Sequence, residues 1–207
     1  MGAVVAVTFL AGSLIWAEEW RSDFGEGADE IDLIPAENWE AREGKLQISE
    51  AGKPKGPVRR PVTYALLPDR WRDAELTVEA RSLEPDSKVG KDIVLLFGYQ
   101  DAEHFYYAHV SNDSDGRTHS IIMRVEASGR TPIHLEEAPE PALGSGWQTL
   151  RVSHGANGEI VVRVDEREEP VLTANDTSYP AGRMGFGSFN DTAEFDEARI
   201  VGDRLAD

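Results

Sequence analysis

Beyond residue 17 the apolar positions either alternate with polar ones or gather in short runs. Nowhere do they recur at helical spacing over a long stretch. In Ala74–Leu83, Leu76, Val78 and Ala80 alternate with Glu75, Thr77, Glu79 and Arg81, the pattern of a strand with one face in the core and one in water. Ile93–Tyr99 is apolar on both faces and predicts a central strand covered on both sides. Trp39–Ile48 reads as a hairpin around Glu43-Gly44, and Ala51–Arg60, rich in Gly, Pro and charge, as a loop. Further strands are expected at Val62–Leu67, Phe105–Val110, His119–Val125, Trp147–His154, Glu159–Asp165, Pro170–Thr173, Met184–Phe189 and Glu194–Val201. Ser111–Arg117 is a turn between two of them, and Leu135–Ser145 a connection that crosses between sheets. Some ten to twelve short strands separated by turns predict an all-β, two-sheet antiparallel β-sandwich.

The first 17 residues, MGAVVAVTFLAGSLIWA, contain no charge and are followed by Glu18, Glu19 and Arg21. The run fits a secretory apolar region with Ala17 before the cleavage point, although a basic start is missing; a buried N-terminal element is the alternative. It is shorter than the ~20 residues that span a bilayer. The expectation is a signal peptide over 1–17 and one domain over 18–207, released to the periplasm or outside the cell without membrane insertion. At 207 residues such a chain buries about 70% of its unfolded surface and needs no cross-link to fold. Zero cysteines exclude disulfides, thiolate catalysis and Cys-ligated zinc. Thirty-eight acidic against 21 basic residues, a net charge of −17, argue against nucleic acid as a partner.

The second half carries a more specific pattern. Trp147, Leu150 and Val152 lead to the turn HGANGE, then Ile160, Val162 and Val164 alternate up to Asp165. Gly182, Gly185-Phe186-Gly187, Phe195-Asp196 and Ile200-Val201 follow. With DIVLLFGYQDAEHFYYAH at 92–109, this run resembles the concanavalin A-like jelly rolls, especially laminin-G-like and 3-keto-disaccharide hydrolase-type domains, over about Trp71 to Gly202. It departs from them at Asp165–Glu168, where a charged loop replaces a tight Asp-Gly turn. The resemblance implies a bias toward oligo- or polysaccharide ligands on the concave sheet or its rim. It leaves function open, because lectins, binding modules, hydrolases and lyases share the fold. The glycines by themselves permit bends or close backbone approach, and Trp147 at a strand start reads as a core anchor.

The densest candidate chemistry is His104-Phe105-Tyr106-Tyr107-Ala108-His109 with His119 and Arg124 across the turn. Alternation puts Phe105, Tyr107 and His109 on one face and Tyr106 on the other. If residue 109 pairs with 119, both histidines and Tyr107 meet; a slip of one residue separates them. A convergent His109, His119, Tyr107 and Arg124 would supply base, acid and carboxylate contact for glycan cleavage. Tyr99, Gln100, Tyr106 and Trp71 are the candidate sugar contacts, the aromatic ones by stacking. The plain alternative for the whole group is aromatic and histidine side chains lining a sandwich. Asn112-Asp113-Ser114-Asp115-Gly116 crowds oxygen ligands into one turn, so Asp113 and Asp115 are candidates for a structural calcium; Ile122 stands where an EF-hand glutamate belongs, and the same residues also simply make turns. No other cofactor is called for. The strings Glu30-Ile31-Asp32 and Glu194-Phe195-Asp196 lack the final glutamate of a jelly-roll glucanase strand, and Glu194 and Asp196 read as charges on an edge or terminal strand. No G-x-S-x-G, P-loop or G-x-G-x-x-G occurs. The leading expectation is a carbohydrate-recognising domain, followed by a glycan-cleaving enzyme and then a structural adhesion domain.

Overall fold

The computed structural model describes residues 5–6, 16–54, 59–115, 117–127, 129–135 and 140–206. Most of the apolar stretch 1–17 therefore lies outside the described residues; of it, Val5–Ala6 (β1) pairs with the start of β2, Trp16–Ser22. The remaining strands are β3 Asp32–Ile34, β4 Trp39–Arg42, β5 Lys45–Ile48, β6 Thr63–Leu66, β7 Arg70–Ser82, β8 Asp92–Asp101, β9 His104–Ser111 and β10 Ile121–Glu126. They continue with β11 Gly129–Pro132, β12 Gln148–His154, β13 Glu159–Val164, β14 Leu172–Asn175, β15 Ala181–Ser188 and β16 Ala193–Leu205. One 3-10 turn, Ala36–Asn38, interrupts the series.

All pairings are antiparallel and form two layers. Sheet 1 runs β14-β13-β12-β7-β16; the far edge of β16 is shared by β2, against Ala198–Gly202, and by the β5-β4 hairpin, against Ala193–Phe195. Sheet 2 runs β3-β6-β15-β8-β9-β10-β11. The layers touch at one corner, where Ala181 and Gly182 of β15 pair with Arg72 and Trp71 of β7. The connection from β11 to β12 leads from sheet 2 to sheet 1, as expected. β16 is central, not an edge strand, yet Glu194 and Asp196 still point outward because Ala193, Phe195 and Ala198 take the inner positions.

The alternation in β7 works as read: Leu76, Val78 and Ala80 are fully buried and pack with Leu150, Val152, Ile160 and Val162 against Ile93, Leu95, Phe97 and Phe186 of the opposite sheet. β8 is apolar on both faces because both faces are covered. Its other side belongs to a second cluster, Tyr64, Leu66, Val94, Leu96, Phe105, Tyr107, Ile121, Met123, Val125 and Phe189, on the outer face of sheet 2. Two glycines of β15 make room there: a Cβ on Gly185 or Gly187 would strike the carbonyl oxygens of Ala65 or Thr63 on β6.

Three expectations change. The strand expected from His119 starts at Ile121, because the Asp115 carboxylate gathers the N–H groups of Arg117, Thr118 and His119 into a turn and Ser120 takes a φ of 53°. Trp71, the second residue of β7, cannot stack on a sugar as expected; it is 1% exposed, and its indole N–H donates to Pro68 O at 3.0 Å. Trp147 precedes β12 on the outside of sheet 1 and is 36% exposed, so it is not a core anchor.

Candidate functional site

The β9–β10 register pairs His109 with Ile121, two residues beyond the pairing considered from sequence. A shift of two preserves the face. The His119 ring accordingly still lies against His109, 5.5 Å between centroids at 29°, and His109 and Tyr107 both touch Phe189. His109, Tyr107 and Phe189 are sealed, while the His119 side chain stays 29% exposed. His109 is 4% exposed and Tyr107 fully buried. His109 Nδ1 donates to Thr118 O at 2.5 Å, and Nε2 faces Asp92 Oδ2 at 3.5 Å. Asp92 accepts from Ser188 Oγ and Phe189 N at 2.8 and 2.7 Å. Burial works against the Asp92 carboxylate, but His109 and these two donors hold its pKa below the usual range. Its own N–H donates to Asp191, which Lys88 pairs at 2.5 Å. Tyr107 accepts from Arg130 at 2.7 Å, the guanidinium of Arg130 covers the Phe189 ring, and burial pushes the phenol up to about 12.

Arg124 does not join this group. It sits opposite Tyr106, one position out of phase with Tyr107, and so turns to the other face of sheet 2. There it binds Asp176 at 2.5 Å and Ser178 at 3.1 Å. Tyr106 is fully buried, stacks on Phe97 at 5.4 Å, donates to Asp176 and accepts the Tyr179 N–H. It offers no ring face to solvent, and neither does Trp71, which Arg204 also covers at 5.0 Å. His154 closes the cluster 5.5 Å from Tyr106; burial lowers its pKa to about 4, with Asp73 and Asp176 opposing.

Asp115 is spent on its turn. Thr118 hydroxyl and three backbone N–H groups occupy its two oxygens and hold it well below the carboxylate range despite the cost of burial. Asp113 accepts Ser114 N and lies 3.8 Å from His119 Nδ1. Among the described residues no three His, Asp or Glu side chains converge as a metal set, and Gly116 of this turn lies outside the described residues.

Exposed chemistry gathers instead at the far end of sheet 2. The bulge between Phe97 and Asp101 carries Tyr99 to the outer face. Gly98 makes this possible: its φ is 56°, and a Cβ would lie 2.8 Å from Tyr179 O. Tyr99 is partly exposed, its ring 5.5 Å from Phe105 and 6.0 Å from Tyr64, its hydroxyl 3.3 Å from that of Tyr64. Burial, Tyr64 and Asp101 raise its pKa, so the hydroxyl stays protonated and can donate. Arg183 acts on the same hydroxyl in the opposite sense; its guanidinium holds Leu66 O and Leu67 O at 3.0 Å and Asp32 at 2.5 Å. Arg60 crosses to the β8–β9 turn and donates to Ala102 O at 2.6 Å. Arg60 also lines a hollow of about 450 Å³ with Asn38, Glu50 and Lys53. Gln100 turns toward the sheet corner, taking Arg70 on its carbonyl at 2.9 Å and donating to Gly98 O and Ala181 O. Of the predicted contacts, Tyr99 and Gln100 are therefore accessible. Tyr64, Arg183 and Asp32 were not legible as partners, since strands distant in sequence bring them together; Arg60 stood out only as part of a basic loop, whose Lys55 lies outside the described residues.

No family model matches the chain, and no curated protein matches its sequence significantly. Solved structures do match in shape. The carbohydrate-binding module CBM66 from Bacillus subtilis is 14% identical, over 82% of this chain and 94% of its own, with a TM-score of 0.62. Peanut lectin, solved with a 9mer peptide, is 12% identical over 92% and 99%, TM-score 0.60. The fold is the concanavalin A-like jelly roll. The VIP36 exoplasmic/lumenal domain, in a form bound to Ca2+ and Man3GlcNAc, is 10% identical over 91% and 90%, TM-score 0.56. At these identities the likeness is one of fold, matching the architecture expected from the strand series.

Proposed function

We propose that this jelly roll recognises carbohydrate through the Tyr99 end of sheet 2. The observation that carries the reading is Tyr99 itself: a partly exposed phenol at the margin of an otherwise sealed aromatic layer, flanked by arginines and carboxylates. A sugar ring has an apolar C–H face and a rim of hydroxyls, so it needs an aromatic surface beside fixed donors and acceptors. Tyr99 supplies the first; Arg183, Asp32 and Arg60 supply the second. The hollow that Arg60 also lines has room for one or two sugar rings. Carbohydrate-binding and lectin structures of the same fold support the ligand class. The −17 charge favours neutral glycans over polyanions. Binding is favoured over cleavage because Tyr107, the candidate acid, and His109, one of the two candidate bases, are closed off from any polymer, which leaves the part-exposed His119 without its acid partner at the surface.

We read the apolar run 1–17 as a leader to an extracytoplasmic site, where such ligands occur; among the described residues no helix is long and apolar enough to cross a membrane. Calcium is given no part in the Tyr99 site. A glycan array with wild-type protein and Tyr99→Ala tests the reading. Wild type binds at least one neutral glycan, and Y99A loses at least tenfold in affinity with an unchanged melting temperature. Undiminished binding by Y99A contradicts the placement.

A further inference from the structure

On the opposite side of the molecule one aromatic residue stands in water. Trp147 is 36% exposed, whereas Trp20, Trp39 and Trp71 are buried. Strand register lines up a row beside it. Gln148 pairs with Ala80, which sets Trp147 next to Arg81. Arg81 is opposite Glu194, Glu194 opposite Gln47, and Gln47 opposite Glu40. Their chain neighbours Ala80, Gln148, Ala193, Phe195, Leu46, Ile48 and Trp39 are buried, so the whole row faces outward. The Arg81 guanidinium lies 5.0 Å from the Trp147 ring centroid and binds Glu194 Oε2 through Nε at 2.6 Å and Nη2 at 2.5 Å. Five strands at their usual spacing make the row roughly 19 Å long, the reach of a short oligosaccharide.

We infer that this row on the outer face of sheet 1 is a second carbohydrate contact, taking a short neutral oligosaccharide across the strands from Trp147 to Glu40. The chemistry of the row selects that ligand. The Arg81–Glu194 pair cancels its own charge while keeping free N–H donors and carboxylate lone pairs, which neighbouring hydroxyls of one sugar can meet together. An anionic ligand would compete with Glu194 for Arg81 and meet the net negative field; a cation would meet Arg81. A protein partner needs about 1,000 Å² with an apolar centre, and this row offers one indole, its other members being charged or amide side chains. Holding Arg81 in a cation–π and ion-pair contact also fixes its side chain before ligand arrives, which lowers the ordering cost of binding.

The test reads Trp147 directly. Acrylamide quenching of tryptophan fluorescence is recorded with cellotetraose, xylotetraose, mannotetraose and laminaritetraose, and the component that disappears in Trp147→Phe is assigned to Trp147. At least one tetraose should reduce the quenching constant of that component twofold or more. It should do so equally in wild type and Tyr99→Ala. Calorimetry on the Y99A background should show a further loss of fivefold or more in affinity on adding Trp147→Ala, with Trp147→Phe within threefold of the parent. W147A should keep the parent circular dichroism and melting temperature, since the side chain lies outside the core. Unchanged quenching with all four sugars overturns the proposal, and so does a Y99A variant in which protection vanishes. Protection that survives Y99A while Y99A leaves affinity untouched supports the second contact and removes the first.

Discussion

His154 shows how one side chain can set a stability limit. Its ring is buried against Phe97 and Tyr106, and Nε2 has no hydrogen-bond partner among the described residues. The folded pKa of about 4 lies below the unfolded value of about 6.5. The unfolded chain therefore takes up a proton first as pH falls. The stability this group contributes is complete above pH 6.5 and is lost on the way down to 4. At pH 5 the loss amounts to about 2 kcal/mol. Urea midpoints of wild type and His154→Leu at pH 7 and pH 5 check this: the variant should lose less than half as much between the two pH values. The residue scale is also where sequence reading fell shortest. Alternation along 105–109 placed Tyr107 and His109 together, but burial depends on Arg130 and Phe189, which arrive from elsewhere in the chain. Trp71 and Trp147 were misjudged for the same reason, since exposure belongs to the neighbours and not to the residue type.

The β9–β10 connection shows what an element needs besides its apolar pattern. Asp115 collects three N–H groups and one hydroxyl and so ends the approach to β10 two residues later than alternation alone suggests. Asp115→Ala leaves those donors to water and should cost about 1–2 kcal/mol, with Asp115→Asn recovering part of it. Chemical denaturation of the three proteins measures the difference. Alternation fixed which residues share a face within one strand, but a slip of one residue would have parted His109 from His119, and the observed shift of two is what keeps them together. Alternation could not settle the register itself, which the turn decides. The short strands β3 and β11 escaped notice for a related reason: three- or four-residue edge pairings carry too few positions to show a period.

For the whole molecule, the two-layer architecture was legible because strong alternation in β7, β12 and β13 meets a doubly apolar β8. What sequence did not disclose is that the outer face of sheet 2 is filled with aromatic and aliphatic side chains, with Tyr99 and Ile34 its partly exposed apolar members among the described residues. This separates stability from recognition. Leu95→Ala empties a fully buried position between the sheets and should cost about 2–5 kcal/mol while leaving glycan affinity unchanged at temperatures where the variant is folded. Thermal melts and binding titrations on the same samples read both quantities.

The central claim is that sugar is held at the Tyr99 end. Its most direct test is a backbone amide chemical-shift titration of the wild-type protein with the strongest glycan from the array. Shifts at Tyr99, Asp101, Ala102 and Arg183, with Tyr107 and His109 still, are the predicted result. A saturable titration that leaves residues 99–103 and 183 unmoved would contradict it.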